Sequence, residues 1–227
     1  MVEGPADGSV NGSEHTGAVP HTASLPQEFF ARDSLRVARD LLGCRVSHGG
    51  VTVRLTEVEA YSGAADPGSH AFLGRSPRNE VMFGPAGRLY VYFTYGMHFC
   101  ANIVTGSEGE ASAVLLRAGE VVDGHDVAAE RRPGFRPRDL ARGPARLATT
   151  LALGREHNGM ALVGPRAGGR VQAPETPVDP AAVRTGPRVG VSGPGGDGAT
   201  YPWRFWIDGD LTVSAYRPGR PRNAPLK

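Results

Sequence analysis

Three strand-like runs follow one another in the middle of the chain, and they constrain the fold more than any other feature. The runs are RLYVYFTYG at 88–96, FCANIVTG at 99–106 and SAVLLRAGEVV at 112–122. They are rich in β-branched and aromatic residues and are broken by glycine, as the strands of antiparallel meanders are. We therefore predict an antiparallel sheet at the centre of the protein.

The segment before these runs predicts a helix and a hairpin. Asp33 can cap a helix whose apolar positions, from Leu35 to Leu42, recur with the helical period, and Gly43 can end it. The run CRVSHGGVTVRLTEVEAY at 44–61 is typical of a β-hairpin, because its His-Gly-Gly turn can take positive backbone dihedrals between two apolar runs.

The later part of the chain is mostly helical in pattern, with two further strands. VVDGHDVAAERR at 121–132 and GPARLATTLALG at 143–154 predict helices, and the Pro-, Gly- and Ala-rich stretch 164–180 predicts a long surface loop. RVGVS at 188–192 and RFWIDG at 204–209 are expected to be late strands that close the sheet.

A flexible connection is expected between these two strands, at residues 192–200. The predicted fold class is α+β, with one domain built on a curved, largely antiparallel sheet flanked by helices. A length of 227 residues suits one domain. Residues 1–24 are small and polar with few large apolar side chains, so we expect a disordered tail, a domain at 25–217 and a C-terminal tail at 218–227.

Composition excludes several classes of protein. No apolar run approaches 20 residues and the first residues lack signal-peptide order, so we expect a soluble, cytoplasmic protein without a membrane segment. Two cysteines, Cys44 and Cys100, and seven scattered histidines are too few ligands for a disulfide framework or a zinc site. We predict no metal and no cofactor. With a formal charge of +2, binding to nucleic acid would need locally concentrated arginines.

Two glutamates on the predicted second hairpin strand are the first candidates for chemistry. Glu57 and Glu59 lie two residues apart, so they should share one face of the strand with Leu55. That face could be a solvated outer surface. Alternatively, a carboxylate in a cleft could act as a general base, because it can accept a proton from water at neutral pH.

Aromatic and polar residues of the meander are the next candidates. Tyr90 and Tyr92 share a strand face, where Tyr90 is expected in the core. Tyr95 beside Gly96 at a hairpin tip is a candidate wedge that unstacks a base step. Asn102 and Arg117 are polar residues inside otherwise apolar strands, so each needs a partner, either the protein backbone or a ligand edge or phosphate.

A loop before the meander supplies further polar side chains. In GSHAFLGRSPRN at 68–79 these are His70, Arg75, Arg78 and Asn79, and the basic ones could meet phosphates. Taken separately, these features fit many sugar and nucleotide enzymes.

Six motifs in chain order are more specific. They are VEAY at 58–61, His70, SPRN at 76–79, LYVYFTYGMHFCANI at 89–103, VLLRA at 114–118 and ARGPARL at 141–147. Together they closely resemble the alkyladenine (3-methyladenine) DNA glycosylase family, over residues 25–215. The resemblance implies base-excision repair, in which a damaged purine is flipped out of duplex DNA and its N-glycosidic bond is hydrolysed, leaving an abasic site. It also implies a protruding β-hairpin that enters the minor groove.

The resemblance further implies roles for single residues. Glu59 matches the general base that activates water against the sugar C1′, which makes Glu57 structural. Arg117 matches a residue near that water and a phosphate, with a structural ion-pair partner as the alternative. The residues that sandwich the flipped base match Tyr61, His70 and Tyr92. Asn102 matches the position that crowds the amino group of guanine, Tyr95 matches the residue that fills the gap in the duplex, and Met97 lies beside Tyr95.

Lysine content bears on the type of glycosylase. Of the 25 lysine and arginine residues, Lys227 is the one lysine, which leaves 24 arginines. A lyase step needs an amine for a Schiff base, and only Lys227 and the N-terminus, both in expected tails, could supply one. We therefore predict a monofunctional hydrolase.

The sequence departs from the family pattern in a few places. The pair Glu80-Val81 is less basic than a DNA backbone contact would favour, and His98 stands where some relatives carry an aromatic residue. We expect a monomer acting on duplex DNA with damaged purines, in the cytoplasm of a bacterium and associated with the nucleoid. Two alternatives stay open: a non-catalytic nucleic-acid module, and a hydrolase or transferase of free nucleosides, which would need neither a wedge nor loop arginines.

Overall fold

The computed structural model describes residue 1 and residues 24–94 and 96–219. Its centre is an eight-stranded sheet whose main path has the order β3-β4-β5-β2-β1-β6, while β8 pairs with both β2 and β7. Every pairing between these strands is antiparallel. The strands are β1 Arg45–His48, β2 Val51–Tyr61, β3 Leu89–Thr94, β4 His98–Val104, β5 Ala113–Asp123, β6 Arg170–Gln172, β7 Val183–Gly186 and β8 Arg204–Ile207.

The α-helices are short and lie beside this sheet. They are α1 Gln27–Phe30, α2 Ser34–Leu41, α3 His125–Arg131 and α4 Pro144–Thr150. Helix α2 packs against β2, and helix α4 packs against β4 and β5. The α+β class, the three-stranded meander and the single domain are thereby confirmed.

The local signals at the start of the domain act as predicted. The carboxylate of Asp33 caps α2 by accepting hydrogen bonds from the backbone N–H groups of Leu35 and Arg36, at 2.9 and 3.3 Å. Between β1 and β2, Gly49 and Gly50 have φ of 56° and 76°. Two consecutive positive φ values define the turn that matches the twist of a two-residue hairpin, and glycine adopts them without strain.

A main hydrophobic cluster and a smaller one hold the sheet. The main cluster contains the inner faces of β2 and β5 with α2 and α4. The smaller cluster lies under the 70–83 segment and contains Ala71, Met82, Tyr90, Val104 and Ala113. Tyr90 is 2% exposed, so its prediction as a core residue is confirmed. The smaller cluster fixes the segment that carries His70.

Two predictions about the later chain are wrong. The 164–180 stretch is not wholly a loop, because β6 lies in it and pairs with β1. The segment 188–192 is not a strand, because Pro187 and two glycines with positive φ, Gly190 and Gly193, interrupt extended pairing there. The strand that pairs with β8 is β7, just before this segment.

Most of the two expected tails falls outside the described residues, namely 2–23 and 220–227. The tail boundaries therefore stay predictions. Ser24 forms an isolated bridge with Gln172 at the sheet edge. None of the helices in the described part of the chain has the length and apolar character needed to cross a membrane.

Candidate active site

Glu57 and Glu59 share a face of β2, but that face is neither solvated nor shared with Leu55. Both glutamates are 0% exposed. Val58 between them packs in the hydrophobic core, and so does Leu55. The pairing of β2 with β5 is irregular at Leu55–Val58, so the alternation shifts by one residue there. The glutamates consequently point away from the core, and the prediction that they share a face with Leu55 is wrong.

The carboxylate of Glu57 is fully engaged by the protein. Its Oε1 accepts from the Nε of Arg117 at 2.7 Å and the Nε of Arg204 at 2.6 Å. Ser214 donates its backbone N–H to Oε2 at 2.7 Å and its hydroxyl to Oε1 at 3.1 Å. Two arginines and Ser214 thus enclose this carboxylate. Glu57 has the surroundings of a structural ion-pair centre.

The carboxylate of Glu59 is held more sparsely. Its Oε2 accepts the phenol proton of Tyr61 at 2.9 Å, and its Oε1 accepts the backbone N–H of Val189 at 2.7 Å. The Nη1 of Arg117 lies 3.4 Å from Oε1. A carboxylate has about four lone-pair sites, so one site on Oε2 can still accept a hydrogen bond from water.

Arg117 connects the two carboxylates. It is 6% exposed, and its Nη2 also donates to the Ser214 hydroxyl at 3.2 Å. Burial lowers the pKa of Arg117, but Glu59 and Glu57 raise it by more, so the pKa lies above its ordinary value and the side chain stays charged. Its partners in the structure are two carboxylates and a hydroxyl, and are thus neither the backbone nor a ligand.

The predicted aromatic residues lie together beside Glu59. The ring centroids of Tyr90 and Tyr92 are 5.5 Å apart in a stacked pair, and the His70 ring meets Tyr92 edge-on at 4.6 Å. Burial and Glu59 raise the pKa of Tyr61 well above its ordinary value, so its phenol stays protonated. Burial, Cys100 and Glu59 raise the pKa of Tyr92.

His70 lies at the edge of this aromatic cluster. Although His70 is an exposed residue, partial burial of its ring and then the positive charge of Arg78 lower its pKa to about 4. Its Nδ1 shares a hydrogen bond of 3.0 Å with the Tyr90 hydroxyl. At neutral pH the ring is therefore uncharged, and it can lie beside a cationic base without repelling it.

Asn102 is 4% exposed and reaches the site from β4. Its Nδ2 donates to the backbone carbonyl of Tyr90 at 3.1 Å, which fixes the orientation of the amide. Of the two kinds of partner that the sequence left open for Asn102, the structure shows the protein backbone.

The β3–β4 hairpin and the loop before β3 carry the other predicted DNA contacts. Met97 is 70% exposed beside the turn, while Tyr95 lies outside the described residues. Arg75 lies over the Phe83 ring at 4.8 Å and Arg78 over the Tyr92 ring at 6.0 Å. Asn79, by contrast, is 2% exposed, which leaves it no part in a phosphate contact.

Asn79 closes the loop instead. It accepts the Ser76 N–H at 2.7 Å and donates to the carbonyls of His70 and Gly74, each at 2.9 Å. Sequence reasoning also missed Arg188 and Ser214, which lie in irregular segments far along the chain from the glutamates, and Asp66, which follows β2 closely and pairs with Arg188. One sequence signal could have found such residues: a charged or polar side chain within an apolar or glycine-rich run, such as Arg188 in RVGVS.

No three side chains of His, Cys, Asp or Glu come together as potential metal ligands within the residues described. The site is instead a buried carboxylate beside a buried arginine, under a cluster of tyrosines and a neutral histidine. Such a site can accept a proton from water and stack against a flat ring.

Comparison with known proteins identifies the class to which this site belongs. Residues 28–211 match the model of the family described as methylpurine-DNA glycosylase. A relative in Streptomyces avermitilis, assigned as a 3-methyladenine DNA glycosylase, is 54% identical over 211 residues, which cover 90% of this chain and 97% of the relative.

Two further relatives carry the same assignment. The protein of Nocardia farcinica is 52% identical over 90% of this chain and 98% of its own length. That of Frankia casuarinae is 50% identical over 85% and 93%, respectively. The chain belongs to the methylpurine-DNA glycosylase family. It is thus a base-excision-repair enzyme, a hydrolase of N-glycosidic bonds in DNA.

Proposed function

We propose that this enzyme removes alkylated or deaminated purines, of the 3-methyladenine type, from duplex DNA by direct hydrolysis. The observation that carries the proposal is the state of Glu59. It is 0% exposed, three groups orient it, and it retains a lone pair that can bind water. A base in this position acts on a sugar carbon whose purine lies in the neighbouring aromatic cluster.

In the proposed reaction, water is the nucleophile and Glu59 is the general base. The bond between C1′ and the purine nitrogen breaks, and the purine leaves with the electron pair. An oxygen–carbon bond forms between water and C1′, and the water proton passes to Glu59. Positive charge develops on the sugar during this step, and the buried carboxylate stabilises it. Arg117, whose Nη1 lies 3.4 Å from Oε1 of Glu59, is assigned to the attacking water and to the phosphate of the flipped nucleotide.

Specificity is assigned to the groups around the base. Tyr61, His70 and Tyr92 stack on or flank the flipped purine, which favours electron-poor alkylated rings. The neutral state of His70 supports this role for a cationic base. The amide of Asn102, fixed on the backbone of Tyr90, crowds the exocyclic amino group of guanine and so discriminates against the normal base.

DNA binding is assigned to the hairpin and the 70–79 loop. Tyr95 is the wedge that replaces the flipped nucleotide, with the exposed Met97 beside it. Arg75 and Arg78 contact phosphates. We further propose that the enzyme is a monofunctional monomer that needs no metal or cofactor and works at the bacterial nucleoid, where its substrate lies.

The first test is release of free purine from methylated duplex DNA in the presence of EDTA. The wild type should release base, while Glu59→Gln should bind the duplex and release almost none. Glu120→Gln is the matched control, because Glu120 is half exposed and pairs with Arg54 away from the site. Full activity of Glu59→Gln would remove Glu59 from the mechanism. Tight binding without release by the wild type would favour a non-catalytic module.

A further inference from the structure

Arg188 is the largest fully buried side chain outside the catalytic groups, and it lies next to the backbone that holds Glu59. It is 0% exposed, as is its partner Asp66. The two form a bidentate ion pair, with both nitrogen–oxygen distances at 2.6 Å. The next residue, Val189, donates its N–H to Glu59 at 2.7 Å. The ion pair is therefore one residue away from an orienting bond of the general base.

The guanidinium of Arg188 ties several segments together. Its Nη1 donates to the carbonyl of Ala60 at 3.0 Å and its Nη2 to that of Gly195 at 2.7 Å. Its plane also lies over the Tyr61 ring, 4.5 Å from the centroid. One side chain thus contacts both the Tyr61 ring and the carbonyl of Ala60, the residue between Glu59 and Tyr61. An ion pair of this kind fixes geometry, because a planar fork of donors accepts few orientations.

Asp66 is equally constrained. Its Oδ1 accepts the Gly68 N–H at 2.8 Å and its Oδ2 the Ser62 N–H at 3.2 Å, in addition to both bonds from Arg188. A Cβ on Gly68 would lie 2.4 Å from Nη2 of Arg188, so the loop passes the guanidinium at the closest distance that glycine permits. The loop, the end of β2 and the 188–196 segment are locked to one another at this point.

We propose that Arg188 is a positioning residue for base excision: paired with Asp66, it holds the Val189 N–H on Glu59 and the Tyr61 ring beside the base. This inference rests on the proposed function of Glu59. Arg188 itself does not touch the reacting atoms. Its effect reaches the reaction through one hydrogen bond to the carboxylate and one face of an aromatic ring.

Loss of the Val189 hydrogen bond has a defined consequence for pH dependence. A hydrogen bond to a carboxylate favours its charged form, so its removal should favour protonation and inactivate the base at higher pH. The groups that face Glu59 are Arg117 of β5, Arg188, Tyr61 of β2, Tyr92 of β3, Cys100 of β4 and, two residues away, Glu57. The pKa of Cys100 is raised to about 11 by burial, and those of the two tyrosines are also raised. These three groups therefore stay neutral on the acidic side of the profile.

The test measures single-turnover base release against pH for Arg188→Lys and Asp66→Asn. Both should still bind duplex DNA. Base release at pH 7 should slow by on the order of 100-fold, as for a small displacement of a reacting group. The acidic limb of the profile should move to higher pH. Arg54→Lys is the control. Arg54 lies on β2, the strand that carries Glu59, but it pairs with Glu120 and Asp210. This control should leave both the rate of base release and the acidic limb of the pH profile unchanged.

A second pair of variants isolates the donor if Arg188→Lys does not fold. Gly190 has φ of 75°, as in the third position of a type II turn, and proline is favoured at the position before it. Val189→Pro removes the N–H and puts a ring carbon in the direction of Glu59, so the carboxylate loses this bond and must move, while Val189→Ala is the reference that retains the N–H. Of these two variants, only Val189→Pro should show the acidic limb of the pH profile at higher pH.

The outcomes separate this inference from the proposed function. If the two Val189 variants have the same limb, or if Asp66→Asn slows the reaction equally at every pH, Arg188 is only structural and the inference fails. Glu59→Gln decides the proposed function independently, because full activity in that variant would remove the base itself.

Discussion

Glu57 and Glu59 lie two residues apart on the same face of one strand, yet the protein treats the two carboxylates differently. Around Glu57 the structure places two arginines and Ser214, at distances from 2.6 to 3.1 Å. Around Glu59 it places a phenol, one backbone N–H and a longer contact to Arg117. The difference teaches that burial alone does not mark a catalytic carboxylate. Unused hydrogen-bonding capacity beside the aromatic cluster is what supports the proposed role of Glu59 as the base.

The largest expected effect separates the two residues by activity. Glu59→Gln should slow single-turnover base release by roughly 10³-fold, within the range for loss of a general base, because the amide cannot accept the water proton. Affinity for duplex DNA containing an abasic-site analogue should change little, since the shape is preserved. If folded Glu57→Gln releases base more slowly than Glu59→Gln, the proposed division of roles between the two glutamates is wrong.

The next effect separates them by stability. Glu57→Gln leaves the charges of Arg117 and Arg204 without their shared carboxylate in a buried position. Breaking a buried ion pair from one side costs about 3–5 kcal/mol, so urea unfolding should show a loss of this size. Glu59→Gln should lose clearly less, because it has fewer charged contacts. Equal losses for both variants would mean that Glu59 is also a structural centre.

The sequence predicts the Glu59 region better than the Glu57 region, for physical reasons. Strand alternation and the glycine turn are local signals, so β1 to β5 and α2 follow directly from them. The residues near Glu59 that lie on these strands, Tyr61, Tyr92 and Asn102, are brought together as expected. Their roles in recognition came from the family resemblance and remain proposals.

The missed features depend on contacts between distant residues. The Arg188–Asp66 pair joins positions 122 residues apart, and the Ser214 contact with Glu57 joins positions 157 apart. Both pairs involve irregular segments, where periodicity carries no information. The shift in alternation near Thr56 arises from strand pairing with β5, which no pattern in β2 alone reveals. The valines of RVGVS are typical of a strand, but Pro187, Gly190 and Gly193 interrupt extended pairing there.

A smaller effect should come from one support of Glu59. Tyr61→Phe keeps the ring for stacking but removes the hydroxyl that donates to Glu59 at 2.9 Å. Base release should slow by roughly tenfold, since one hydrogen bond to a charged group is worth about 1.5 kcal/mol. Single-turnover kinetics measure this directly, with Tyr216→Phe as a control at a half-exposed tyrosine. A rate unchanged in Tyr61→Phe would show that the remaining two contacts suffice to orient the carboxylate.

The smallest effect extends the comparison to the edge of the Glu59 site. The pKa of His70 is about 4 in the folded protein, below its ordinary value of 6.5. Between these two values the unfolded chain binds a proton that the folded protein does not, so the free energy of unfolding should fall as pH decreases from about 6.5 towards 4. His70→Asn removes this titration and should flatten that part of the curve. Because His70 is exposed, solvent screening keeps the change modest. Unfolding in urea at pH 7 and pH 5 measures it, and the same slope in both proteins would assign the pH dependence to groups other than His70.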